Sequence, residues 1–278
     1  METVCGNKQW DVLLVRNAEC KIIGALPYLI GNKLGLRYIL QPQLTQFCGP
    51  WYAANSDERT RQQANDQFVC QLKKLHLFYF QQNFAPEITE CDLFSNNGYR
   101  ISPRVTYRLD DISDPNKLFE NFSRNQRQRR IRHLLPRTHC SELTPTQFAD
   151  FQDECRKQIK QKNLLPKELV TDICSTALKR NQALLNGLWI DDRLIAALFV
   201  PYDTRFAYYL IPAIRQEGRS IGAMETLVWI MLQRLSKITQ AFDFEGSMEP
   251  GIAQYYRSFG ATPTTYLSLT KCPLPITL

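Results

Sequence analysis

Ala207-Tyr208-Tyr209-Leu210-Ile211, Arg215-Gln216-Glu217-Gly218-Arg219-Ser220 and Phe242-Asp243-Phe244-Glu245-Gly246 follow one another within residues 207–260, and their reading decides the fold. The first is an apolar, strand-forming run that stops at Pro212. The second opens a helix in which Ile221, Met224, Leu227, Val228, Met231, Leu232 and Leu235 recur at helical spacing, so one face is buried and the helix is well anchored. Gly218 and Gly222 at its mouth leave backbone N–H groups open to the close approach of a diphosphate. The third run is a strand carrying two carboxylates. A short helix with Tyr255 and Tyr256 then leads to Phe259-Gly260. Strand, phosphate-sized loop, helix, strand and helix make one α/β unit.

Outward from this stretch, an internal repeat organises the chain. Asp11-Val12-Leu13-Leu14-Val15, a polar turn and Lys21-Ile22-Ile23-Gly24-Ala25-Leu26 read as a hairpin; so do Gly187-Leu188-Trp189-Ile190, Asp191-Asp192 and Arg193-Leu194-Ile195-Ala196-Ala197-Leu198. Both run on into Pro-Tyr. Leu36-Arg37-Tyr38-Ile39-Leu40 then matches the strand at Tyr208, a helix follows over about residues 57–72, and His76-Leu77-Phe78-Tyr79-Phe80 stands where Phe242-Asp243-Phe244 stands later. The shared order of elements makes duplication the better reading of two similar hairpins. Asp110-Asp111-Ile112-Ser113-Asp114-Pro115, a polar helix-start cluster, sets the expected boundary near residue 112, giving domains 1–112 and 113–278. The second opens with helices expected over residues 115–134, 145–160 and 166–179.

Composition bounds the partners. With 278 residues, 44% of them hydrophobic, the chain buries a full core. No run approaches the roughly 20 apolar residues that span a bilayer, and residues 1–7 lack a signal peptide's apolar core, so a cytoplasmic protein is expected. Nine cysteines, scattered singly, fit reduced thiols, and three histidines away from any cysteine cluster argue against a metal site. The formal net charge of +7 favours an anionic ligand without choosing among them.

Several residues carry two readings. Arg215 and Arg219 are phosphate ligands or surface arginines. Asp243 and Glu245 alternate with Phe242 and Phe244, which puts both carboxylates on one strand face, towards a cleft or towards solvent. Tyr256 is a proton donor or a core residue. Arg124, Arg127, Arg129, Arg130, Arg132 and Arg137 form a basic run, either an exposed helix face or a phosphate-binding surface. It has no interleaved aromatics for base stacking.

Arg215-x-x-Gly218-x-Ser220 and Tyr256-x-x-x-Gly260 resemble the GNAT superfamily of N-acyltransferases, whose phosphate loop reads Gln/Arg-x-x-Gly-x-Gly/Ala. The duplication, Arg129-Arg130-Ile131-Arg132 and the run from Phe242 to Gly246 followed by Tyr255-Tyr256-Arg257-Ser258-Phe259-Gly260 resemble more specifically the FemAB-like proteins. These are tandem GNAT-like folds that include bacterial enzymes building peptidoglycan cross-bridges. The resemblance implies two domains, each a mixed, mostly antiparallel sheet flanked by helices. It implies a donor site for acetyl-CoA or another acyl-CoA at Leu210, Arg215, Gly218, Arg219, Ser220, Ile221 and Gly222, with the Leu210 N–H facing the oxyanion. Tyr256 is then the acid for the departing thiolate, Glu245 or Asp243 assists deprotonation of an amine, Arg129, Arg130 and Arg132 hold substrate phosphates, and no metal takes part. The acceptor is a small-molecule or muropeptide amine. A second reading uses an aminoacyl-tRNA donor and a peptidoglycan precursor; a third is a non-catalytic scaffold, expected if Tyr256 and Glu245 face the core. Ser220 departs from the family's Gly or Ala, and Gln43-Leu44-Thr45-Gln46-Phe47-Cys48-Gly49 replaces the loop in the first half, which is therefore expected to bind no CoA. Since such proteins begin with further elements, the first domain is also expected to be N-terminally truncated. Oligomeric state is not legible.

Overall fold

A computed structural model describes residues 2–5, 9–54, 56–158, 165–246 and 248–272. The chain forms two compact units, residues 1–105 with 265–278, and residues 106–264.

The first unit opens with the hairpin β1 (Gln9–Arg16) and β2 (Ile22–Lys33), antiparallel from Gln9 opposite Ile30 onward. β3 (Leu36–Ile39) pairs antiparallel with β2, and the two-residue β4 (Trp51–Tyr52) also pairs with β2. Helix α1 (Glu58–Lys74) is capped by Asp57, whose side chain accepts from the Thr60 N–H. It buries Ala64, Phe68, Val69 and Leu72 against Leu13, Val15, Leu26 and Tyr28 of the hairpin. β5 (Tyr79–Phe84) lies parallel to β3, α2 (Asp92–Asn96) follows, and β6 (Arg100–Leu109) runs across the division between the units. The last strand of the chain, β13 (Thr262–Lys271), pairs antiparallel with β5. That pairing draws residues 265–278 into the first unit, whereas the division expected from sequence assigns all of 113–278 to the second. The strand expected from His76 begins at Tyr79, because His76 adopts φ 50 in the turn that leaves α1.

The second unit starts with α3 (Pro115–Glu120), a π-helical turn over Arg124–Gln128 and α4 (Arg129–Leu134), where the sequence suggests one helix. β7 (His139–Glu142), α5 (Pro145–Gln158), α6 (Lys167–Lys179) and the hairpin β8 (Ala183–Ile190) and β9 (Arg193–Pro201) come next. Residues 159 and 160 of the expected second helix lie outside the described residues. The run expected as one strand at Tyr208 is two, β10 (Phe206–Tyr208) and β11 (Ile211–Ile214). β11 pairs antiparallel with β9 at the edge of the sheet β11-β9-β8-β7, and β10 pairs parallel with β12 (Ala241–Asp243). Pro212 therefore does not end the strand; it sits in β11, an edge strand that tolerates a missing N–H. α7 (Gln216–Ile221) and α8 (Ala223–Leu235) precede β12, and α9 (Pro250–Arg257) follows it. Strand, helix and parallel strand thus recur as β3, α1, β5 and as β10–β11, α7–α8, β12, so the duplicated element order is present in the fold.

Candidate active site

The interruption between β10 and β11 opens the site. Tyr209 N–H donates to the Asp243 carbonyl at 2.9 Å, continuing the ladder to β12, whereas Ile211 is already opposite Phe199 of β9. Leu210 lies between the two ladders. Beside β11 is a cleft of ≈ 410 Å³, walled by Tyr209, Pro212, Ala213 and Ile214, by Gln152, Cys155 and Arg156 of α5, by Met224 and Glu225 of α8, and by Arg127, Arg130, Arg219 and Tyr255. Four arginines against one carboxylate make it an anion site by charge. The first turn of α8 adds to this, since the opening N–H groups of a helix lack intrahelical partners.

Glu225 and Arg127 form the cleft's floor. Glu225 is the one carboxylate in α8, a helix whose other first-turn residues are Ala223 and Met224, and it is buried. Its Oε1 accepts from Arg127 Nη1 and, at 3.0 Å, from Arg130 Nη1. Arg127 is buried too: its Nε donates to the Ser258 hydroxyl, and its guanidinium lies over the Tyr255 and Phe259 rings at 4.4 and 4.9 Å. One carboxylate held between two guanidiniums leaves the floor net positive. A lone Glu in an apolar helix was the sequence signal for a buried partner.

Geometry changes the expected phosphate loop. Gly218 is buried within α7, its N–H donates to the Arg215 carbonyl at 3.0 Å, and a Cβ there would lie 2.7 Å from Ile195 Cγ2. Its glycine is required by packing rather than by ligand approach. Gly222 has φ 84 and its N–H returns to the Gly218 carbonyl, so it breaks α7 from α8; a Cβ would meet Arg130 Cβ at 2.8 Å. Arg215 does not reach the cleft as a ligand, because it makes a bidentate pair with Glu154 (2.7 and 3.0 Å) and donates to the Leu194 carbonyl. The Ser220 hydroxyl turns back to the Glu217 carbonyl, and Ile221 is exposed. Of these expected ligands only Arg219 lines the cleft. Within the basic run Arg130 lines it, whereas Arg129 and Arg132 are exposed and off it, because the helical turn that points Arg127 and Arg130 inward points their neighbours out.

Both carboxylates of the third run stand apart from the cleft as well. Asp243 is fully buried, accepts from Arg108 Nε at 2.8 Å and from the Thr106 hydroxyl, and is a structural ion pair. Burial raises its carboxyl above the ordinary value, opposed by Thr106 and Arg108. Glu245 does not share Asp243's strand face, because β12 ends at Asp243 and Glu245 has φ 61. Burial, and secondly the Asp243 charge, push its carboxyl up to about 8. Tyr256 is buried in a ring cluster with Phe244 (4.8 Å), Tyr107 (5.8 Å) and Tyr209 (6.1 Å), and is not in the cleft wall. One position earlier, a rotation of about 100° on the helix, Tyr255 faces the cleft. Its hydroxyl is buried, with the Tyr209 hydroxyl as its hydrogen-bonding neighbour. Burial holds the Tyr255 phenol well above its ordinary value, so it stays protonated. Cys155 is no thiolate nucleophile, since burial pushes its thiol up to about 11. Among the described residues no group of three or more His, Cys, Asp or Glu is placed to hold a metal ion.

Fold and site together define a class. Residues 121–255 match the family described as Acetyltransferase (GNAT) domain. Residues 121–255 thus carry a GNAT acetyltransferase domain, which makes the protein a transferase enzyme, and its fold is shared with tandem GNAT proteins. Among solved structures it is similar to FemX, at 11% identity over 94% of this chain and 88% of that one, with a TM-score of 0.72. It is also similar to the tandem GNAT protein from the clavulanic acid biosynthesis pathway (14% identity, 97% and 84% covered, TM-score 0.60). A third likeness is to L-PGS from Bacillus licheniformis (10% identity, 96% and 84% covered, TM-score 0.59). At such identities the likeness concerns the fold. No curated protein matches the sequence.

Proposed function

We propose that the chain transfers an acyl group from acyl-CoA to an amine, with the donor lying in the cleft beside β11. One observation carries the reading: a single cleft joins a cationic wall, the first turn of α8, strand β11 next to the strand gap and the protonated phenol of Tyr255. Arg130, Arg156 and Arg219 hold the donor's phosphates, supported by the first-turn N–H groups of α8. The acyl carbonyl sits near the Leu210 N–H, which meets the oxyanion as the amine adds. The acid is Tyr255 rather than Tyr256. The dry surroundings that keep its phenol protonated also make a departing thiolate more basic, so the proton passes as the carbon–sulfur bond breaks. Glu245, with a carboxyl near 8, takes the proton from the ammonium acceptor through water. The acceptor is a small-molecule or muropeptide amine, and a cytoplasmic setting suits a CoA donor.

A second reading, aminoacyl-tRNA as donor and a peptidoglycan precursor as acceptor, draws support from the Gly218 and Gly222 N–H groups being already bonded. That leaves phosphate recognition chiefly to arginines. Tyr256, which is buried, and Glu245, which is half-buried, also suit a binding scaffold. Titration calorimetry with acetyl-CoA and desulfo-CoA, then a screen of amines, amino sugars and muropeptides, separates the three. Tyr255→Phe should lower turnover by about 10²-fold or more with donor affinity little changed, and Tyr256→Phe should stay near the parent. No CoA binding by the folded parent would move the donor to tRNA. Unchanged turnover in Tyr255→Phe would remove the acid.

A further inference from the structure

The first unit carries an apolar surface that its own core does not use, and it lies outside the cleft. In β1, Leu13 and Val15 point into the core, so Trp10, Val12 and Leu14 occupy the other face of the sheet. Strand register extends that face. Trp10 is opposite Leu29, Leu14 is opposite Ala25, and Ala25 is in turn opposite Trp51 of β4. On that side of β2 Leu29 is buried, whereas Lys33 towards the tip and Leu36 of β3 opposite it are exposed. Four large apolar side chains on this face are open to solvent, Trp51 at 54%, Leu36 at 47%, Trp10 at 42% and Leu14 at 38%.

Leu34, at the β2–β3 tip, is 93% exposed. It adopts φ 53 and Gly35 φ 79, and Asn32 Oδ1 accepts from the Gly35 N–H at 3.1 Å. Positive φ at both central residues is the tight hairpin turn that favours Asn-Gly, and a leucine is sterically disfavoured there. Leu34 thus opposes its own backbone and, being exposed, gains nothing from packing. The fold gives no reason for it.

Charge indicates what does. Residues 20–56 contain Lys21, Lys33 and Arg37 and no Asp or Glu. Asp11, the carboxylate of β1, is on the side of Leu13 and Val15 and accepts from the Tyr28 hydroxyl at 3.1 Å. Glu19 lies in the turn between β1 and β2. We propose that this sheet face and the β2–β3 tip dock the protein on an anionic lipid surface. Indole rings settle at headgroup depth with apolar bodies inward and N–H groups in water. Leu34 and Leu36 enter the acyl boundary, and Lys33, opposite Leu36, meets anionic headgroups. No described helix is long and apolar enough to cross a membrane, so the contact is peripheral.

Sedimentation of the full chain with vesicles of phosphatidylcholine, alone or mixed with phosphatidylglycerol, tests this. The parent should bind the mixed vesicles, release with added salt, and show a blue shift in tryptophan emission on binding. Leu34→Asn should keep or raise the Tm, because asparagine suits the turn, yet partition about tenfold more weakly. Adding Trp51→Ser should weaken it further. Equal binding to both vesicle types, or parental binding by Leu34→Asn, would overturn the proposal. So would a lipid-free, concentration-dependent dimer that Trp51→Ser dissociates, which would give the face to a second copy of the chain.

Discussion

Replacing Glu245 with glutamine should flatten the dependence of stability on pH, and the size of the effect follows from the site. Glu245 follows the end of β12 with φ 61, and its N–H donates to Asp243 Oδ1 at 2.7 Å. Burial first, and the neighbouring Asp243 charge second, raise its carboxyl from the usual 4.5 to about 8. The folded chain therefore binds this proton more tightly than the unfolded chain. Between those two values the folded state holds more protons, so stability falls as pH rises through the window and is constant outside it. At about 1.36 kcal/mol per pH unit, the whole fall is at most about 5 kcal/mol, a large share of the roughly 5–15 kcal/mol that keeps a domain folded. Glutamine has nearly the same shape, tolerates the same backbone and does not titrate. Urea unfolding followed by far-UV circular dichroism, at several values from about pH 4 to about pH 9, should show the two proteins converging at the acid end and the variant ahead at the alkaline end. Asp243 titrates in both, so the difference isolates Glu245. Parallel curves would refute the reasoning, since they would mean that Glu245 is solvated in the folded protein.

Glu225→Ala leaves the Arg127 guanidinium buried without its carboxylate and should cost about 3–5 kcal/mol; a thermal-unfolding change within about 1 kcal/mol would show that water replaces the pair. Gly218→Val places a branched side chain where Ile195 Cγ2 is 2.7 Å and Ile214 Cγ1 3.1 Å from the new Cβ, and should destabilise by about 1–3 kcal/mol. Its folded fraction should bind the donor like the parent in calorimetry, and a stable variant with weakened CoA affinity would restore the diphosphate role to this glycine.

The order of elements was legible because it rests on local periodicity. The hairpin at Leu13 and the helix at Phe68 each bury one repeating face, and a repeating face is written in sequence. The helix at Leu227, expected to bury one face, is buried nearly all round, and β8 and β9 are buried on both faces; these were legible as continuous apolar runs. Direction in three dimensions was not. Tyr255 and Tyr256 are equivalent in one-dimensional pattern, and only packing of α9 against Phe244 and Tyr107 decides which ring is buried. Gly218 looked like a phosphate glycine until Ile195, twenty-three residues earlier, filled the space beside it. The Arg127–Glu225 pair joins residues ninety-eight apart, and Asp243 found Arg108 across β12 and β6. Sequence alone determined most of the elements and their order, because those depend on neighbours within a few turns or strands, while the acyltransferase expectation came from the resemblance to the GNAT superfamily. The tertiary structure alone decided which side chains face the cleft, because burial and charge pairing depend on residues that only folding brings together.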